Sequence, residues 1–256
     1  MEIPMSEKPI DLELIKNAAF PQGEAGQAMI ERMNREHREL TEWGWRLTGF
    51  PAVSDPSPGF VPLSTVDYST DDGERVSGER FRKSEGSEIA EIPPSMVLDV
   101  GCGGGMAIRR LATRWTDSTF FGCDISPTAV MTAQTVNREQ IVSGQTTILQ
   151  AGVSELPFPE ATFDFVYSVE SLYFWPDSRL GCREIHRVLK PGGIFMTVLE
   201  MVGGAMTPRH AQIAEFLKMY CPTPVELRNL LLESNFTIRT IRYAPDRGWL
   251  CGIGQK

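Results

Sequence analysis

The sequence has little of what marks several large classes of protein. Its five cysteines, at positions 102, 123, 182, 221 and 251, are odd in number and form no CxxC pair. That leaves no disulfide framework and no zinc-ligand spacing to read, and it fits reduced thiols in a cytoplasmic protein. Positive charge is not in excess: the net charge is −8. A chain of that sign lacks the general attraction that nucleic-acid binders use, so no nucleic-acid partner is expected. Long apolar runs are missing too. The most apolar late stretch, IFMTVL (194–199), stops at Glu200, far short of a membrane span, and no membrane association is expected. The start, MEIPMSEKPIDLELIK, has acids and prolines where a signal peptide needs a basic start and an apolar run. No internal repeat is visible. With 41% apolar and 23% charged residues the composition is ordinary and globular. The 256 residues suit one large α/β domain or two small ones.

Three zones follow along the chain. Residues 1–48 are expected to form an N-terminal helical cap. Within them, 24–47 read as one helix, with Met29, Met33, Leu40, Trp43 and Leu47 on a single face. On that pattern Trp43 packs and Trp45 lies on the other face. Residues 49–95 are expected to be an insertion or lid. Pro51, Pro56, Pro58 and Pro62 exclude regular structure early in it, and 69–91 is polar with few large apolar groups. From Met96 to the end, short apolar runs alternate with amphipathic ones. Strands are expected at 96–100, 118–124, 146–151, 162–169, 194–200, 236–243 and 247–254. Helices are expected from about 104 to 115, from 127 to about 141, from 177 to near 189, and over 207–219 and 224–234. Such alternation predicts a parallel sheet covered on both faces. Only a short turn joins the last two strands, so the final one should run antiparallel.

The stretch MVLDVGCGGG (96–105) ends an apolar strand in Asp99 and then places four glycines within five residues. In a parallel sheet, ligands bind beyond the carboxyl ends of the strands, and glycines there let a ligand approach the backbone. The free N–H groups at the start of the next helix are expected to face that ligand. A dinucleotide fingerprint, G-x-G-x-x-G, would need a glycine where Met106 stands. The observed spacing, Asp99-x-Gly101-x-Gly103-x-Gly105, resembles the first motif of the class I S-adenosylmethionine-dependent methyltransferases. FGCDIS (121–126), LQAGVSELPF (149–158), FDFVYSVESLYFWPD (163–177) and REIHRVLKPGG (183–193) extend the resemblance over residues 96 to about 200.

The resemblance implies a Rossmann-like seven-stranded sheet of order 3-2-1-4-5-7-6, with S-adenosylmethionine as cofactor and a small molecule as acceptor. It implies a cofactor site made of Asp99, Gly101, Cys102, Gly103, Gly105, Asp124, Ile125, Gly152, Val153 and Ser168. Asp124 would take the ribose hydroxyls and Ile125 would line the adenine. Relatives commonly carry Gly-Asp where this chain has Ala151 and Gly152, so a side-chain contact to the adenine is missing here. Glu170 and Tyr173 follow the fourth strand at the predicted active edge and are candidate catalytic residues. His37 is a candidate base from the N-terminal helix, with Glu36 beside it. His210 begins a helix near the acceptor, and His186 is expected to face solvent. No metal site is expected. The chain is expected to act as a monomer or homodimer. Two rival readings stay open at this level: a cofactor-binding partner subunit without catalysis, and an NAD-dependent oxidoreductase.

Overall fold

The computed structural model of the protein describes residues 12–50 and 93–256. The expected insertion or lid, 49–95, lies outside the described residues except at its two ends. Seven strands form one sheet: β1 (Met96–Val100), β2 (Thr119–Asp124), β3 (Thr146–Gln150), β4 (Phe163–Val169), β5 (Leu189–Leu199), β6 (Thr237–Ala244) and β7 (Trp249–Gln255). Their order is β3-β2-β1-β4-β5-β7-β6. The pairs among β1 to β5 are parallel, and β7 is antiparallel to both β5 and β6. Four residues separate β6 from β7, too few for a crossover, so the chain reverses direction there. The fold class expected from the sequence is the one observed.

Helices cover both faces: α1 (Leu12–Ala19), α2 (Gly23–Glu36), α3 (Arg38–Leu47), α4 (Met106–Ala112), α5 (Pro127–Val136), α6 (Arg138–Val142), α7 (Ser178–Val188), α8 (Pro208–Leu217) and α9 (Pro224–Glu233). Local sequence explains several of the starts. Ser126, Asp177, Thr207 and Thr223 each accept a first-turn N–H on the side chain, and Pro follows Ser126, Thr207 and Thr223. Thr223 and Glu226 complete a capping box. Alternate strand residues fill opposite sides of the sheet. Leu98, Val166 and Phe195 pack on one side with Ile185 of α7 and Leu227 of α9. Val97, Phe165 and Met196 pack on the other with Trp45 of α3 and Ile108 of α4.

The N-terminal helix expected over 24–47 is two helices. They break at His37, whose φ of −84° and ψ of 5° leave the helical basin. Thr41 donates both its N–H and its hydroxyl to the His37 carbonyl, at 3.0 and 2.7 Å, a back-bond that bends helices. The break lets α3 lie directly on the sheet. Both tryptophans are buried as a result, where one was expected outside: Trp43 packs on Trp249 and Trp45 sets its edge on Tyr167. Glycine makes the approach possible, since a Cβ on Gly44 would stand 2.4 Å from Val198 Cγ2 and 3.1 Å from Met196 Sδ. The sequence pattern also gave no sign of a second break, at Asn137 between α5 and α6.

Gly44→Ala should destabilise the protein by about 1–3 kcal/mol through overpacking. A drop in denaturation midpoint measured against wild type checks this, and an unchanged midpoint would show that α3 can lift off β5.

Candidate active site

The order of the sheet reverses between β1 and β4, and a cavity of about 220 Å³ opens there at the carboxyl ends of the strands. Gly101, Gly103 and Gly105 all have left-handed φ, at +74°, +50° and +71°, a conformation that glycine adopts at little cost. Their surroundings differ. A Cβ on Gly101 would meet Ser171 Cβ at 2.4 Å, and one on Gly105 would meet Asn137 Nδ2 at 2.5 Å. Gly104 gives room to the cap, because its Cβ would stand 2.4 Å from Ile30 Cγ2 of α2. Only at Gly103, among these four, does a Cβ meet nothing within 4 Å.

Four amides of this loop are used inside the protein, while the first-turn amides of α4, the ones expected to face a ligand, are capped by no side chain. Gly101 and Cys102 both donate to the Cys123 carbonyl, at 2.8 and 3.0 Å. Gly105 donates to the Cys102 carbonyl at 2.9 Å. Gly103 donates to Asp124 Oδ2 at 2.9 Å. The other oxygen of Asp124 accepts from the Ser126 amide at 2.9 Å. Asp124 is thus a brace between the two loops as well as a wall of the cavity. Burial raises its carboxyl above the usual range, while the amides of Ser126, Gly103 and Ile125 oppose the rise. No side chain caps α4, whose N-cap is Gly105.

Asp99 lines the same cavity, is 2% exposed and makes no ion pair among the described residues. Burial pushes its carboxyl up to about 8; the Tyr167 hydroxyl offsets part of that rise, and the Asp124 charge adds to it. Cys102, Ile125, Gly152 and Val153 are also on the wall. A Cβ on Gly152 would make only ordinary contact, 3.4 Å from Ile125 Cγ2, so nothing in the backbone or packing requires glycine there. Ser168 is fully buried and stands one layer back. Its hydroxyl hydrogen-bonds Ser171 at 2.7 Å, and Ser171, which does line the cavity, donates to the Val100 carbonyl at 2.9 Å.

The far end of the cavity is polar. Glu170 lines it from the end of β4, with a left-handed φ of +56°. Tyr173 does not line it, which corrects its expected place at the acceptor. Its hydroxyl donates to Glu170 Oε1 at 2.8 Å and accepts from the amides of Glu200 and Met201, both at 2.7 Å. Tyr173 therefore positions Glu170 against the end of β5. Burial pushes the Glu170 carboxyl up to about 8, with the Glu200 charge adding to the rise and His37 opposing it. His37 lines the cavity from the α2–α3 junction, and its Nε2 stands 3.6 Å from Glu200 Oε1. Burial alone would lower the His37 pKa, but Glu200 and Glu170 outweigh it and raise it. Burial likewise opposes ionisation of Glu200, and His37 overcomes this to hold the carboxyl below its ordinary value.

Glu200 escaped sequence reading because it stands at a strand end with no motif around it; the topology that places it opposite Glu170 was the one available signal. Glu36 turns to the surface and pairs with Arg32 at 2.8 Å. His210 is outside the cavity lining, and His186 is half-buried with its ring edge against Phe236 at 5.2 Å, where solvent was expected. Phe174 and Trp175 supply an apolar wall.

This sheet order, with a glycine loop and two carboxylates at the reversal point, defines the Rossmann-like fold of the class I methyltransferases. The family model described as "Methyltransferase domain" matches residues 98–197, and the chain is similar to named methyltransferases. It is 29% identical over 192 residues to an O-methyltransferase of Aspergillus sclerotiorum, covering 73% of this chain and 72% of that one. It is 36% identical over 147 residues to the cycloartenol-C-24-methyltransferase of Arabidopsis thaliana, covering 54% of this chain and 43% of the plant enzyme. Among solved structures, the geranyl diphosphate C-methyltransferase from Streptomyces coelicolor A3(2) superposes with a TM-score of 0.56 at 16% identity, covering 64% of this chain and 73% of that one. At that identity the likeness is one of fold. Among the described residues no helix is long and apolar enough to cross a membrane, and all five cysteines are free.

The raised carboxyl of Asp99 makes the ligand-free protein pH-sensitive. The folded state binds a proton that the unfolded state releases near 4, so stability falls as pH rises from about 4 to 8. Asp99→Asn removes that penalty. Its melting temperature should exceed wild type at pH 8 and match it near pH 4; equal melting curves at both pH values would show that Asp99 ionises freely.

Proposed function

We propose that this chain binds S-adenosylmethionine along the reversal point of the sheet and methylates an oxygen of a small-molecule acceptor by in-line displacement. The observation that carries the reading is one cavity with two chemically distinct ends. At one end are the glycine loop, Asp99 and Asp124; at the other, His37 and Glu170. The residues fit the cofactor. Gly103 leaves open space above the loop, and Asp99 is a buried carboxyl without an ion pair among the described residues, suited to the ammonium of the cofactor's amino-acid part. Asp124 keeps acceptor capacity beyond its two amide bonds, since an ionised carboxylate has about four lone-pair sites, and it takes the ribose hydroxyls. Ile125 and Val153 flank the adenine. When bound, the cofactor supplies a methyl group on a positively charged sulfur.

The protein's part is to align acceptor and methyl group, and alignment of this kind is worth roughly 7–11 kcal/mol. Phe174 and Trp175 hold the apolar body of the acceptor and keep water out. The acceptor hydroxyl lies between His37 and the open oxygen of Glu170, with Tyr173 and Glu200 fixing their positions. The choice of oxygen is supported by this polar cluster and by relatives that are themselves O-methyltransferases. A small acceptor agrees with a cavity of about 220 Å³ lined in part by residues of α2 and α3.

Calorimetry with S-adenosylhomocysteine tests the cofactor half. Wild type should bind, and Asp124→Ala should lose about tenfold or more in affinity, as expected for lost hydrogen bonds to a charged group. Unchanged affinity would refute the ribose assignment. In the other direction, Gly152→Asp has room for its side chain and should tighten binding about fivefold, equivalent to one added hydrogen bond of about 1 kcal/mol. Weaker binding in that variant would place the adenine elsewhere.

A further inference from the structure

Three residues far apart in the sequence bring metal-ligating atoms together at the acceptor end. His37, Glu170 and Glu200 each offer one such atom, and all three lie within 4.8 Å of one another. They enter from three elements: the α2–α3 junction, the end of β4 and the end of β5. Glu170 is 7% exposed. Its Oε1 accepts from Tyr173 and from the Glu200 amide, at 2.8 and 2.6 Å, and no hydrogen bond reaches its Oε2 among the described residues. That leaves one oxygen of a largely buried carboxylate open toward the cavity, beside an imidazole and a second carboxylate. Buried charges of one sign are stable when they are paired or when they coordinate a cation.

We propose that His37, Glu170 and Glu200 form a site for a divalent transition-metal cation whose open positions hold the acceptor oxygen. One imidazole nitrogen with two carboxylates suits Mn²⁺, Fe²⁺ or Zn²⁺, whereas Mg²⁺ and Ca²⁺ favour oxygen-only sets. Three protein ligands leave coordination positions open, as catalytic metal sites do. Donors held at about 2.0–2.2 Å from one ion lie roughly 3–3.5 Å apart. His37 and Glu200 already stand at 3.6 Å, and the widest pair, within 4.8 Å, closes by about an ångström through side-chain rotation. The proposal rests on the methyl-transfer reading and supplies what that reading needs. Two carboxylates repel the oxyanion form of an acceptor, and a cation between them reverses the sign of the local field. The acceptor hydroxyl then loses its proton to water more readily. Its oxygen lone pair forms the new O–C bond while the C–S bond breaks and that electron pair stays on sulfur. The expected absence of a metal gives way here because positions 37, 170 and 200 have no motif spacing that a sequence could reveal.

The test uses the full chain, stripped with a chelator and titrated with MnCl₂ while free Mn²⁺ is read by electron paramagnetic resonance. Wild type should bind one Mn²⁺ per chain, competed by ZnCl₂. Glu200→Gln should weaken binding at least tenfold, and Glu36→Gln, a surface change near the site, should leave it unaltered. Glu200 is half-exposed, so its replacement should spare the fold, which the melting temperature of the variant verifies. No Mn²⁺ or Zn²⁺ bound by wild type, or equal binding by wild type and Glu200→Gln, overturns the proposal and leaves the trio as an ion pair with a buried acid. S-adenosylhomocysteine binding, measured on the same stripped sample, reports separately on the cofactor. Its loss would sink the methyl-transfer reading whatever the metal result.

Discussion

The carboxylate of Asp124 takes the amide of Gly103 on one oxygen and that of Ser126 on the other, and the active end of the sheet is organised around those two bonds. They tie the loop after β1 to the loop after β2. Ser126 in turn caps α5 and donates to the Pro21 carbonyl at 2.7 Å, which fixes the segment leading into α2. One short chain of hydrogen bonds therefore runs from the glycine loop, through the second strand, to the helices that roof the cavity. Buried polar groups are stable only when satisfied, so the parts of this chain hold one another in place.

The other half of the cavity is braced in a different way. Ser171 presses on Gly101 and donates to Val100, joining the loop after β4 to the loop after β1. Two residues earlier, Val169 closes the strand, and Glu170 turns through a left-handed conformation that costs of order 1 kcal/mol or more in a non-glycine residue. Tyr173 holds the carboxylate that results. The glycines of this region thus separate by task. Gly101, Gly104 and Gly105 make room for Ser171, for the cap helix and for α5, and Gly103 alone leaves space toward the cavity.

Sequence pattern was a good guide wherever one strand, one turn or one cap decides the outcome. The DVGCGGG loop and Asp124 at the end of β2 were legible because each follows from local periodicity and from the topology of parallel sheets, and the order of all seven strands was implied by the resemblance to a known family. Three kinds of feature were not legible. The break at His37 arises from a threonine hydroxyl competing for a carbonyl, which no apolar spacing records. The internal use of the loop amides depends on a carbonyl and a carboxylate from β2 reaching across to β1. The meeting of Glu200 with His37 and Glu170 is a tertiary fact, set by strand ends that are adjacent in space and 30 residues apart in the chain. Tyr173 shows the same limit from the other side. Its position in the motif was read correctly, but its hydroxyl is fully engaged behind Glu170.

His37 comes from the N-terminal helices, whereas Asp99, Asp124 and the glycine loop come from the sheet and its loops. The reactive end is therefore shared: Glu170 and Glu200 reach it from the ends of β4 and β5, and His37 is added from outside the sheet. Gly104 is the seam, since its bare backbone lets Ile30 settle against the loop. A different N-terminal segment laid on the same seam would inherit the glycine-loop end of the cavity unchanged and bring its own side chains to the other end. In such a layout new acceptor chemistry is reached by recombining the roof, with the scaffold beneath it left as it is.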